Sequence, residues 1–303
     1  MANEKQPKTS TFIQNNDIFI GTANFCQKYG LDSRSAVFAK KDLPELFFEV
    51  QSSSNIFFDT AQSYHGVEEL IGNLGGKKLD NKIVTKISPN EFDTVSSVIS
   101  LVKKSLINLD QNTLYGVLLH NANILECANA ESIVQGLEYC LDAGLVNHIG
   151  ISGYDSNQII TIAEKFPQLT TFQINESVID QRNFYNKALD NLKNSNKNIY
   201  VRSVFLQGNL LVDDTEIADL LTPKRNIFTN FKKFCKENDV LPIKACLDYA
   251  RSISWSKGIV VGVSTLSNYI QIIECLTDPT VISNFSIETL GDFYSDPRNW
   301  VNP

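Results

Sequence analysis

Eight short apolar runs recur along the chain, and their spacing constrains the fold more than any other feature. They are IFIGT (18–22), NIFFD (55–59), KIVTK (82–86), LYGVLLH (114–120), VNHIGIS (146–152), TFQIN (171–175), IYVRSV (199–204) and IVVGV (259–263). Runs of this length, rich in β-branched and aromatic residues, read as buried strands. Between them, apolar residues fall at three- and four-residue spacing, which predicts helices over 43–53, 67–74, 92–109, 130–143, 156–165, 183–194 and 267–276, with a doubled helical region at 226–254. A strand and helix repeating about every 30 residues is what a crossover between parallel strands requires. Eight such units fit a closed (β/α)8 TIM barrel, whereas an open doubly wound sheet more often has fewer strands and a glycine-rich first turn.

No low-complexity tract or long Gly/Pro/Ser linker divides the sequence, so residues 1–303 are expected to form a single barrel domain with a short N-terminal extension. The segment 213–223 breaks the rhythm and is expected to be a loop with a short extra helix near the barrel mouth. The tail 285–303, ending near DPRNW, is expected to cover one face, with Trp300 folding over the mouth or anchoring the tail.

Charge and cysteine usage narrow the function classes. Lys and Arg number 27 against 34 Asp and Glu, a net charge of -7, and no basic run could follow a phosphate backbone, so nucleic acid is a poor partner. The six cysteines, at 26, 127, 140, 235, 246 and 275, are scattered without a C-x-x-C pair, and free thiols in a reducing compartment are expected. The first residues lack an apolar signal core and no stretch approaches the roughly 20 apolar residues of a membrane span, so a soluble, cytoplasmic protein is expected. No His/Cys/Asp/Glu cluster has metal-ligand spacing, and no metal is expected.

In a barrel, chemistry sits at the C-terminal ends of the strands, so a titratable residue closing an apolar run is informative. Asp59 closes NIFFD, Lys86 closes KIVTK, His120 closes VLLH, and Tyr64 follows Asp59 on the adjoining loop. Each has a structural alternative. Asp commonly caps the next helix, Lys snorkels from a rim, and a lone His is often a satisfied core group. Taken together, the four supply the parts for polarising a carbonyl without a metal. A phenol is a weak acid, and a nearby ammonium such as Lys86 would stabilise its phenolate. Asp59 would hold Lys86, and His120 would donate to a carbonyl oxygen or help relay its proton.

The segments GTANF, DTAQSYHGVEELIG (59–72), VTK (84–86), LLHN (118–121), GISGY (150–154) and FQIN (172–175) together resemble, in family order, the aldo-keto reductase superfamily. The resemblance spans nearly the whole chain. It implies a (β/α)8 barrel that binds a nicotinamide cofactor without a Rossmann domain. It also implies the catalytic tetrad Asp59, Tyr64, Lys86 and His120, with Tyr64 as the general acid.

By the same resemblance, Gly21, Thr22 and Ala23 lie at the cofactor site. Ser152 and Gln173 contact the nicotinamide carboxamide, although the usual Ser-Asn pair reads Ser152-Gly153 here. Phe205 is the nearest candidate for ring stacking, and Ser203, Leu206 and Gly208 line the pyrophosphate path. Gly262, Ser264 and Thr265 belong to the adenosine segment, where Val263 and Tyr269 stand at the places of the family's basic pair. NADP(H) is expected slightly ahead of NAD(H). Cys26 and Tyr29 are candidates for the pocket wall, His65 for its rim, and His148 is expected to be structural.

The expected function is reduction of an aldehyde or ketone, with sugar-derived carbonyls among the candidates, to an alcohol by a nicotinamide-dependent oxidoreductase. The alternatives are a non-catalytic, cofactor-sensing or regulatory barrel and, more remotely, a metal-dependent hydrolase or lyase. The partner is a small-molecule carbonyl compound, and oligomeric state is left open.

Overall fold

A computed structural model describes residues 16–28, 37–213, 215–282, 284–296 and 299. Its strands are β1 (Asp17–Gly21), β2 (Ile56–Asp59), β3 (Ile83–Ile87), β4 (Gly116–Leu119), β5 (Ile149–Gly153), β6 (Thr171–Asn175), β7 (Asn198–Arg202) and β8 (Gly258–Gly262). They pair in sequence order, and β8 returns to β1 in parallel register, closing the barrel. This is the (β/α)8 architecture the spacing predicts.

The surrounding helices are α1 (Leu43–Ser52), α2 (Val67–Asn73), α3 (Val95–Asn108), α4 (Ala130–Asp142), α5 (Ser156–Lys165), α6 (Lys187–Asn194), α7 (Arg225–Glu237), α8 (Pro242–Arg251) and α9 (Leu266–Thr277). Where their ends depart from the apolar pattern, a cap explains the shift. Helix α3 begins at 95, not 92, because Thr94 and Ser97 form a reciprocal capping box. Helix α6 begins at 187, not 183, because the Asn186 side chain accepts from the N–H groups of Ala188 and Leu189. The doubled region divides into α7 and α8, with Pro242 opening the second helix. Strands β4 and β5 start later than predicted, since Leu114 and Val146 meet only as an isolated bridge.

Segment 213–223 holds a short 3-10 helix, Asp219–Lys224, and the Ala218 N–H donates to Asn209 Oδ1 at 2.9 Å. That bond ties the segment to the turn after β7, at the mouth, as expected. The tail packs onto the loop after β6: the Leu290 N–H donates to the Ile179 carbonyl at 2.7 Å, and Gln181 Nε2 donates to the Phe285 carbonyl at 3.2 Å. A short helix, α10 (Asp292–Ser295), follows. The N-terminal extension, Tyr29 and Trp300 lie outside the described residues.

Two-residue periodicity positions the site. Side chains alternate across a strand, so every second residue enters the barrel. Phe19, Phe57, Val84, Leu118, Tyr200 and Val260 form a separate buried cluster, while neighbours such as Ile18, Ile20, Ile83 and Val117 join the larger core between strands and helices. Phe19 stacks on Phe57 at 5.0 Å between ring centroids and meets Tyr200 edge-on at 4.6 Å. Each such buried side chain stabilises the fold by about 1.5–3 kcal/mol.

Below this plug, Tyr200 donates its hydroxyl to Asp17 Oδ2 at 2.8 Å. His148, just before β5, packs its ring 4.8 Å from Tyr115 at this closed end, in the structural role expected of it. Gly150 is required by close strand approach: a Cβ there would lie 1.6 Å from the Thr171 carbonyl oxygen.

Candidate active site

Two residues beyond the plug, the same alternation brings a second ring of side chains inward at the mouth. Phe19 is followed by Gly21, Phe57 by Asp59, Val84 by Lys86, Leu118 by His120, Tyr200 by Arg202 and Val260 by Gly262. Strands β5 and β6 contribute Ser152 and Gln173, which pair in register. All but Gln173 line one cavity of about 550 Å³, together with Tyr64, Tyr154 and the turn after β7.

Asp59 and Lys86 are 4% and 3% exposed. Lys86 Nζ donates to Asp59 Oδ2 and, weakly, to the Thr60 carbonyl at 3.4 Å. The other carboxylate oxygen of Asp59 accepts from Gln173 Nε2 at 2.7 Å. The Thr22 hydroxyl donates to the Asp59 backbone carbonyl at 3.1 Å, fixing the end of β2 against β1. The pair is therefore held from three sides in a low-dielectric wall.

Tyr64 sits on the loop after β2, its ring 5.9 Å from Lys86 Nζ and 5.9 Å from the His120 ring at an interplanar angle of 85°. Burial raises its pKa, the Asp59 charge raises it further, and the charge of Arg202 opposes both. The sequence assigned that opposing role to Lys86. In the structure Lys86 is neutralised by Asp59, and the uncompensated cation is Arg202. Tyr64 at neutral pH is thus a protonated phenol, the form a proton donor needs.

His120 Nδ1 shares a 3.1 Å hydrogen bond with the Ser63 hydroxyl. Burial, then the charges of Lys86 and Arg202, lower its pKa from 6.5 to about 3. It is a neutral imidazole, able to donate one hydrogen bond without carrying charge.

Gly21, Ala23, Ser152, Ser203, Phe205, Gly208, Gly262 and Ser264 line the cavity. Thr22, Gln173 and Leu206 are buried outside its lining, and Thr265 is exposed outside it. Thr265 caps α9 by accepting from the Asn268 N–H at 3.0 Å. Val263 and Tyr269, at the places of a basic pair, are core residues only 1% and 2% exposed. Cys26 and His65 are exposed and lie outside the lining.

The irregular Gly153 has a steric cause. A Cβ at Gly153 would come within 2.8 Å of Ile159 Cδ1, so a side chain there would have to displace the tip of Ile159 on α5. Arg202 Nη2 donates instead to the Gly153 carbonyl at 3.2 Å, and its guanidinium lies 4.2 Å from the centre of the Tyr154 ring.

Arg202, Tyr154, Asn24 and Asn268 are cavity residues that the sequence reading passed over. Arg202 carried a legible signal, since it closes an apolar strand as Asp59 and Lys86 do. The predicted β7 ran on to 204 and hid that position, whereas Ser203 turns to a φ of 63° and ends the strand at Arg202.

A closed parallel barrel with buried ionisable groups gathered at the C-terminal ends of its strands defines the class: a barrel of enzyme type with its site at the mouth. The model of the aldo/keto reductase family matches residues 17–287, and the chain belongs to that family. Among solved structures it is similar to aldo-keto reductase AKR11C1 from Bacillus halodurans in its holo form, with 16% identity over 88% of each chain and a TM-score of 0.68. It is also similar to a protein of Pseudomonas aeruginosa assigned as an aldo-keto reductase, with 17% identity over 86% of this chain and 89% of that one and a TM-score of 0.61. These structural likenesses show the fold. No curated protein matches the chain. No described helix is long and apolar enough to cross a membrane, and no group of potential metal ligands occurs among the described residues.

Proposed function

We propose that the protein reduces an aldehyde or ketone to the alcohol with a nicotinamide dinucleotide, and that residues 1–303 act as one barrel domain in doing so. The observation that carries this reading is the convergence of Tyr64, His120 and the buried Asp59–Lys86 pair on one cavity. Hydride for the carbonyl carbon comes from the reduced nicotinamide when it is bound. Tyr64 gives its phenolic proton to the carbonyl oxygen as negative charge develops there. His120 donates a hydrogen bond to the same oxygen, a stabilisation strongest where water is excluded. Lys86 and Asp59, held as a buried pair, form the wall against which the Tyr64 ring is positioned.

The cavity fits a dinucleotide on two observations. Gln173 Oε1, on the strand beside the cavity residue Ser152, is a buried acceptor without a hydrogen-bond partner immediately behind the lining. At Gly208 and Gly262 a Cβ would meet nothing within 4 Å, so the wall is open where a ligand backbone can approach. Ser152 and Gln173 are assigned to the carboxamide. Phe205 is assigned to ring stacking, Ser203 and Gly208 to the pyrophosphate path with Leu206 behind them, and Gly21, Thr22 and Ala23 to the cofactor site at the end of β1.

At the β8 rim the lining is Gly262, Val263, Ser264 and Asn268, with no Lys or Arg among the described residues. The additional ribose phosphate of NADP normally recruits such a cation. This moves the proposal from the slight preference for NADP(H) in the sequence to NAD(H). Fluorescence titration with NADH and NADPH tests both points. Saturable binding, tighter for NADH, is expected, and failure to bind either would leave the cofactor-sensing and reductase readings without support.

A further inference from the structure

Arg202 is the one member of the mouth ring that the carbonyl-reducing chemistry above does not use. It closes β7, is half-buried, and faces the same cavity as Tyr64 and His120. Tyr154 and the Gly153 carbonyl hold its guanidinium in place, yet that carbonyl takes only one of its five N–H donors. Its Nε is buried with no hydrogen-bond partner, and no ion pair among the described residues includes it. The other cation of the cavity, Lys86, is neutralised by Asp59. A chain of net charge -7 therefore places one uncompensated cation beside its candidate acid.

A planar guanidinium that is pre-positioned and lightly hydrated is suited to an oxyanion, above all a carboxylate taken by two parallel N–H bonds. Its position selects which anion. Arg202 occupies the same strand position in the ring as His120, two residues above the plug, and its charge is felt at both Tyr64 and His120. In a dinucleotide the phosphates are separated from the nicotinamide by a ribose, so an anion at the depth of the reacting centre belongs to the substrate.

We propose that Arg202 binds the carboxylate of an α-oxo acid next to the carbonyl that Tyr64 and His120 address, making oxo acids the substrate class. This rests on the reductase reading for its chemistry. The oxo acid leaves as the α-hydroxy acid, having gained hydride at carbon and the Tyr64 proton at oxygen, while the dinucleotide leaves oxidised.

The test compares phenylglyoxylate with its neutral methyl ester, by calorimetry in the presence of NADH and by steady-state kinetics. The wild-type protein should bind the acid at least about tenfold more tightly than the ester, which is about 1.4 kcal/mol. In Arg202→Gln the acid-to-ester ratio should fall towards one, in affinity and in kcat/KM. Arg202→Met, which keeps an apolar stem over the Tyr154 ring, carries the same expectation if the first variant does not fold.

Equal affinity of the wild type for acid and ester, or an unchanged ratio in the variants, overturns the proposal. So does a loss of NADH affinity in Arg202→Gln as large as the loss for the acid, since the charge would then serve the dinucleotide. Arg202-dependent binding of the acid without any oxidation of NADH would leave the carboxylate site standing and remove the reductase reading.

Discussion

Replacing Asp59 by Asn leaves Lys86 charged in a wall where it is 3% exposed, with one weak bond to the Thr60 carbonyl at 3.4 Å. Removing one partner of such a pair costs about 3–5 kcal/mol. An independent bound comes from titration, because an isolated buried ammonium can shed its proton. For an ordinary lysine at pH 7 that costs about 4.6 kcal/mol, which caps the penalty near the top of the same range. The substituted amide can still accept from Gln173 through its oxygen, so the loss belongs almost wholly to the unpaired charge. Equilibrium urea unfolding at neutral pH measures it. The double variant Asp59→Leu with Lys86→Met removes both charges and should return to within about 1 kcal/mol of the wild type while remaining inactive. A loss below about 1 kcal/mol in Asp59→Asn, the value of a solvent-exposed pair, would be incompatible with a desolvated pair. So would a double variant as unstable as the sum of the single ones.

Three further outcomes follow from buried groups. His120 has its pKa lowered from 6.5 to about 3, so the stability it contributes is complete above the higher value and is lost as pH falls towards the lower one. His120→Gln should flatten that acid limb by up to about 2 kcal/mol, after discounting for partial exposure, in unfolding curves collected across the window. Glu176, fully buried and accepting from the Tyr249 hydroxyl at 2.7 Å, has its pKa raised by burial and by Asp180 from 4.5 to about 8. Its contribution is therefore complete below the lower value and is lost as pH rises through the upper one, and Glu176→Gln should hold its stability in alkali where the wild type declines. Gly153→Asn forces a side chain against Ile159 and should destabilise by about 1–3 kcal/mol in the same assay, with Ile159→Ala recovering part of the loss.

The fold was legible because burial on both faces of a parallel strand writes a nearly continuous apolar run, and eight such runs at crossover spacing leave few alternatives. The site was legible where an ionisable side chain interrupts that pattern at a strand end, as at Asp59, Lys86 and His120. Tertiary contacts decided the rest. Ser203 takes a left-handed conformation that no apolar pattern records, which moved the end of β7 and concealed Arg202. The exclusion of a side chain at Gly153 depends on Ile159, a residue on the following helix. The cation that offsets burial at Tyr64 could not be read from the order of Lys86 after Asp59, because their mutual pairing is what removes Lys86 from that role.

Proton delivery by Tyr64 in a nicotinamide-dependent carbonyl reduction is the step on which the proposed function turns. Its most direct test is the rate of NADH oxidation by wild-type protein and by Tyr64→Phe against one carbonyl substrate at saturating dinucleotide. Saturable turnover is expected in the wild type, with a fall of about 10²–10⁴-fold in the variant and NADH affinity retained. Full activity in Tyr64→Phe, or no NADH oxidation by the wild type with any aldehyde, ketone or oxo acid, would contradict the proposed function.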